Sequence, residues 1–119
     1  MHLDYGVLDG AGFDSAAGLK ILGGKADRYA KLLQKFAERQ SATVEEIRAA
    51  LDAGDDAAAE RAAHSLRGSA SALGAKALAE SAAEAEAEIK SGQGVDQALE
   101  TLSDSLRTVV SAIQQAVTE

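Results

Sequence analysis

His64 sits in the run AAHSLRGSASALGA over residues 62–75. A free imidazole has a pKa of about 6.5, so much of it is uncharged near pH 7 and can attack an electrophile without a dedicated base. At about 100° per residue in a helix, Leu66 lies about 200° round from His64 and Leu73 about 180° round. The ring therefore faces away from the apolar stripe of its own helix. Arg61 and Arg67 stand three residues before and after it, Gly68 four after and Ser71 seven after. Small and cationic neighbours leave a nucleophile open to another macromolecule.

Gly68 and Arg67 sharpen that reading. Glycine inside a helix costs about 1 kcal/mol relative to alanine, and this chain uses alanine freely elsewhere. A helix end at Gly68 is the bland explanation. Against it, Leu66, Ala70 and Leu73 carry the apolar period across the glycine, and Gly74 already offers a stop. A bare position one turn from His64 gives a partner access to the ring. Arg67 is permanently charged and can grip phosphate oxygens with paired donors. Most exposed histidines and arginines have no such task; it is the combination that points to one.

The elements that position these residues read as helices. Asp14 or Ser15 caps a short helix to Leu22, which Gly23-Gly24 ends. Tyr29, Leu32, Leu33, Phe36, Val44, Ile47 and Leu51 predict one long helix over 26–53; Ser41 and Thr43 make a break conceivable, but no glycine or proline forces one. Gly54-Asp55 stops it and caps the next. Further helices are predicted over 56–73, 76–91 and 95–117, the last with Leu99, Leu102, Leu106, Val109, Ile113 and Val117 in one stripe. No segment alternates with period two, so no sheet is expected. The predicted fold is all-α: an antiparallel up-and-down four-helix bundle over 13–119 with a short extra N-terminal helix, after a mobile tail over 1–12.

Composition excludes several functions. The 119 residues make one domain, and with no cysteine there is neither a disulfide frame nor a thiolate metal site. A net charge of -7 and only two Phe, two Tyr and no Trp argue against nucleic acid. No run reaches the roughly 20 apolar residues of a membrane span, and the start lacks a signal-peptide pattern. A cytoplasmic, monomeric chain is expected, free-standing rather than cut from a larger kinase. His2 and His64 are the only histidines, so no bound metal is expected. Cations cluster over 20–39, where Arg28, Lys31 and Lys35 form a stripe that either steers an acidic partner or is simply solvated.

The run HSLRGSASALGA over 64–75 resembles the signature of histidine-containing phosphotransfer (HPt) domains, in which His-Thr-Leu-Lys-Gly-Ser precedes Leu-Gly-Ala. Phe13-Asp14, Gly18-Leu19 and Leu22-Gly23-Gly24 are similar to the opening helix and turn of that family. Tyr29, Leu32-Leu33 and Phe36 resemble its second helix, Gly54-Asp55 its next turn, and Leu78 with Glu86 its fourth helix. The resemblance covers about residues 13–92; beyond it only the apolar pattern agrees. Ser65 replaces the common threonine and Arg67 the usual lysine, which keeps the charge and changes its shape.

The resemblance implies a phosphorelay intermediate, not an autonomous kinase. His64 would take a phosphoryl group from a receiver domain's aspartate and pass it to another's. Arg67 would steady that group, Gly68 and Ser71 would give access, and magnesium would sit on the receiver. Candidate docking residues are Leu19, Ile21 and Leu22, each of which could equally be core, with Arg28 and Lys31. Two alternatives stand beside this. A sensor-kinase histidine helix normally has an acidic residue after the histidine and a Thr-Pro beyond, where this chain has Ser65 and no proline. A non-transferring helical adaptor would bind kinases or receivers without taking up phosphate.

Overall fold

The structure is a computed structural model that describes residues 1–118. Its elements in order are β1 (His2–Leu3), α1 (Tyr5–Gly10), α2 (Ser15–Ile21), α3 (Ala26–Gln40) and α4 (Thr43–Asp52). There follow α5 (Asp56–Ala72), α6 (Lys76–Ser91), α7 (Val95–Ala116) and β2 (Val117–Thr118). The fold is all-α in character. Side chains start the helices where the sequence supplies caps: Asp14 accepts from the Ala17 amide at 3.0 Å and Asp55 from the Ala58 amide at 3.1 Å. Gly54 and Gly74, at φ 77° and 78°, turn the chain out of α4 and α5.

Helix α5 packs between α4 and α6, α6 packs on α7, and α3 and α4 reach α7 from the other side. The enclosed core holds Tyr29, Leu33, Ile47, Leu66, Leu78, Leu99, Leu102 and Ile113. The buried residues of α5 and α6 are largely alanines: Ala59, Ala63, Ala70, Ala79, Ala82 and Ala85. Small side chains at a helix contact let the axes approach toward the short end of the usual 8–10 Å range. That closeness brings a side chain of α6 within reach of His64.

Three expectations are corrected. The single helix over 26–53 is two, α3 and α4, broken at Ser41-Ala42. The break needs neither glycine nor proline. Ser41 Oγ donates to the Glu38 carbonyl, the Thr43 hydroxyl bonds the buried Gln40 side chain at 2.5 Å, and Ala42 takes φ -100°, ψ 7°. Hydroxyl and amide side chains here compete with the helical ladder. The mobile tail over 1–12 is instead part of the body: Asp4 caps α1, and Leu3 and Leu8 are buried in the core. Finally, a two-stranded antiparallel ribbon pairs His2 with Thr118 and Leu3 with Val117. Two residues per strand are too few for any periodicity to show.

The C-terminal end of α5 is pinned from outside. Tyr29 is fully buried and its hydroxyl donates to the Leu73 carbonyl at 2.6 Å. The Asp14 amide donates to the Gly74 carbonyl at 2.7 Å. Burial, then the nearby Asp9, Tyr5 and Asp14, hold the Tyr29 phenol well above the ordinary range, so it remains a donor. Gly18 has no room for a side chain, because a Cβ there would stand 2.5 Å from the Tyr29 hydroxyl. In urea unfolding, Tyr29→Phe is expected to cost about 1–3 kcal/mol, since the Leu73 carbonyl loses its partner in a dry site.

Candidate functional site

His64 lies near the middle of α5 with its side chain 63% exposed. Its Nδ1 stands 3.1 Å from Glu86 Oε2 and 3.3 Å from Oε1, across the alanine-lined contact with α6. An ionised carboxylate only accepts hydrogen bonds, so this partner assigns the ring proton to Nδ1. In the neutral ring Nε2 is then the unprotonated nitrogen, and it has no hydrogen-bond partner among the described residues. The ring is oriented on one edge and free on the other.

Glu86 is the buried hinge of this arrangement, its side chain 10% exposed. Arg67 Nη1 donates to Oε1 at 3.2 Å, and Lys90 Nζ lies 3.7 Å from Oε2. Lys90 also stands 3.6 Å from Glu60 Oε1. A carboxylate removed from water costs several kcal/mol unless it is paired, and here an imidazole N–H and two cations supply the pairing. Two carboxylates thus face two cations beside the ring.

Helical side chains lean toward the N-terminus, so residues at +3 and +4 extend over the ring of His64. Arg67 is held by Glu86. Gly68 is exposed, helical, and has nothing within 4 Å of the position a Cβ would take. The fold therefore has no steric need of glycine there. Ser71, one turn further, is exposed on the same side.

The docking candidates divide. Ile21 is 64% exposed, whereas Leu19 and Leu22 are half-buried and pack against the core. Arg28 and Lys31 are exposed on α3, where they line a shallow groove with Lys25, Leu32 and Lys35. A second groove runs from Leu32, Lys35 and Arg39 across to Ser69 and Ala72 of α5. The cationic stripe is in this way continuous with the helix that bears His64. His2 lies apart from His64, in the terminal ribbon. No group of three metal-ligating residues comes together among the described residues.

Sequence reasoning did not pick out Glu86 as the partner of His64, nor Lys90. A signal was present. On the helical wheel Glu86 falls between Ala79 and Ala82, within the apolar face of α6. Charged residues are almost never buried unpaired, so an acid in that position requires a partner from a neighbouring helix.

A comparison with protein families matches the Hpt domain over residues 31–118. Searches of curated proteins and of solved structures find no match. The family match covers most of the chain, and the protein belongs to the Hpt domain family. It reaches past residue 92 through α7, and it leaves out α2, whose likeness to the family's opening helix lies outside the matched region. Membership implies phosphotransfer in two-component signalling, by a phosphocarrier module that meets kinases and receiver domains. No helix among the described residues is long and apolar enough to cross a membrane.

Proposed function

We propose that this chain is a phosphorelay intermediate that carries a phosphoryl group on His64 Nε2 between aspartates of receiver domains. The observation that carries the reading is the Glu86 bond to Nδ1, which leaves Nε2 as the free nucleophile of an exposed ring. In the transfer the Nε2 lone pair attacks phosphorus in line, and the aspartyl P–O bond breaks with its electrons staying on the carboxylate. No proton has to leave the ring. Positive charge develops on the imidazole as the N–P bond forms, and Glu86 lies against Nδ1–H to offset it. Arg67 holds Glu86 with one N–H and has further donors for the phosphoryl oxygens.

On this reading magnesium belongs to the receiver, whose acidic pocket supplies it. The receiver docks over Gly68 and Ser71, toward exposed Ile21 and the Arg28–Lys31 edge of α3. The four long segments act as an antiparallel bundle, with α3 and α4 together filling one position, and the chain works as a cytoplasmic monomer. The test is incubation with phosphorylated receivers of two-component systems. The expected label is receiver-dependent, acid-labile, base-stable and located on His64 by mass spectrometry. ATP alone is expected to leave the chain unlabelled. Receiver binding with no label in any of them would leave a docking adaptor instead.

A further inference from the structure

We infer that the cationic face of α3 selects the partner of this chain: it docks receiver domains whose facing rim is acidic, with Lys35 and Arg39 as the residues that read that charge. The inference rests on the carrier reading and adds to it the chemistry of the partner's surface. Arg28, Lys31, Lys35 and Arg39 follow one another at steps of three and four residues along one side of α3, with Lys25 at its start. All five are exposed. None pairs with a carboxylate among the described residues, whose ion pairs gather instead at Glu86, Glu60 and Asp104. Asp27 and Glu38, the acids of α3, fall about 80–100° round from Arg28 on the flank away from Phe36 and Gln40. Like charges one turn apart repel and weaken a helix, so the fold gains nothing from this stripe. A chain of net charge -7 repels an acidic partner in general, and a cationic face on it orients the approach.

The grooves place this face beside the helix that bears His64. Leu32 and Lys35 line both the outer groove of α3 and the groove that crosses to Ser69 and Ala72 of α5. On α5, Gly68 and Ala72 stand about 40° and 80° round from His64, while Glu60 and Arg67 fall about 40° and 60° round in the other sense, toward α6. The line His64–Gly68–Ala72, exposed throughout, thus leads away from Glu86 and into the groove that Lys35 and Arg39 flank. A partner seated over Gly68 brings its neighbouring surface onto that groove. From Arg28 to Arg39 the stripe rises about 16 Å, the reach of about three turns of a partner's helix. Nucleic acid fits the face poorly. The aromatic side chains of α3, Tyr29 and Phe36, are buried and offer nothing for a base to stack on.

The experiment compares the full chain with the double variant Lys35→Glu, Arg39→Glu, using phosphorylated receivers sorted by the sign of their net charge. At low salt the second-order rate constant for labelling His64 from acidic receivers is expected to fall about tenfold, within the range that charge steering spans. The rate within the saturated complex is expected to hold. Salt at about 1 M cuts the screening length to about 3 Å and removes most of the difference. Arg107→Glu, on α7 across the bundle from α5, leaves the rate nearly unchanged. Phosphoramidate needs no docking: its P–N bond breaks as the Nε2–P bond forms, and the already protonated nitrogen leaves as ammonia. Every variant therefore takes label from it at the parent's rate, which also shows the site to be folded. An unchanged rate with acidic receivers overturns the inference. So does a loss of equal size with acidic and basic receivers, or one that high salt does not reduce. Loss of binding to vesicles of phosphatidylserine and phosphatidylcholine, with transfer untouched, would give the stripe to an anionic membrane and overturn it too. Failure of the parent to take label from any receiver overturns the carrier reading itself, and the stripe then stands or falls on the same salt-dependent loss in receiver binding.

Discussion

Replacing Gly68 by glutamine is expected to slow receiver-dependent phosphorylation of His64 about a hundredfold, the scale of loss when reacting groups are held some 1 Å from their productive position. The same change is expected to leave the fold intact, since nothing stands within 4 Å of the position of its Cβ. Its two consequences have opposite signs because they act on different links. At the level of the helix, an exposed interior glycine carries a propensity penalty, and nothing stands within 4 Å of its missing Cβ. Gly68→Ala is accordingly expected to stabilise the chain by about 1 kcal/mol, seen as a rise of about 4 °C in the thermal midpoint. At the level of the encounter, a side chain at 68 leans back over the imidazole and occupies the space a receiver's loops need. Alanine is expected to slow transfer modestly and glutamine severely, with the apparent receiver affinity falling as well. A glycine retained for the fold would give the reverse pattern, lost stability with transfer preserved in the remaining folded protein. Transfer unchanged in Gly68→Gln would mean that partners approach His64 from another side.

What could be read from the sequence, and what could not, follows the range of the interactions concerned. Caps and stops are local, and Asp14, Asp55, Gly54 and Gly74 act where the sequence places them. The stripe of α7 and the outward turn of His64 follow from helical periodicity alone, and both are observed. The break between α3 and α4 is local too, and Ser41 and Thr43 marked the place without deciding it. Its cause is a pairing of Gln40 with Thr43, and apolar spacing carries no information about such side-chain bonds. The packed N-terminus is a matter of distant partners. Leu3 and Leu8 are buried because the chain's two ends meet, with Leu3 opposite Val117, and no window of neighbouring residues contains that pairing.

The site divides in the same manner. His64, Arg67 and Gly68 belong to one helix and could be arranged by counting residues. Glu86 is 22 residues further on and meets His64 only because α5 packs on α6. Leu19, Ile21 and Leu22 looked alike as apolar residues of a short helix. The structure separates them, since only Ile21 is turned to solvent.

Glu86→Gln is expected to slow phosphoryl transfer by between about ten- and a hundredfold, as happens when a carboxylate that orients an imidazole is removed. The amide differs from the carboxylate in two ways that matter here. It can present N–H as readily as C=O to Nδ1, so it no longer dictates which ring nitrogen is free. It also carries no charge to offset the imidazolium that forms as phosphorus bonds to Nε2. Both losses fall on the reacting ring and neither falls on the docking surface, because Glu86 is buried and offers a partner almost nothing to touch. The rate constant for transfer within the complex should therefore drop while receiver affinity holds. Glu86→Asp should recover the rate only in part, because the shorter side chain stands back from Nδ1 and Arg67. His64→Gln sets the floor in the same assay. Should Glu86→Gln weaken receiver binding and leave the transfer step untouched, the carboxylate would be shaping the surface through Arg67 and Lys90 rather than preparing the nucleophile.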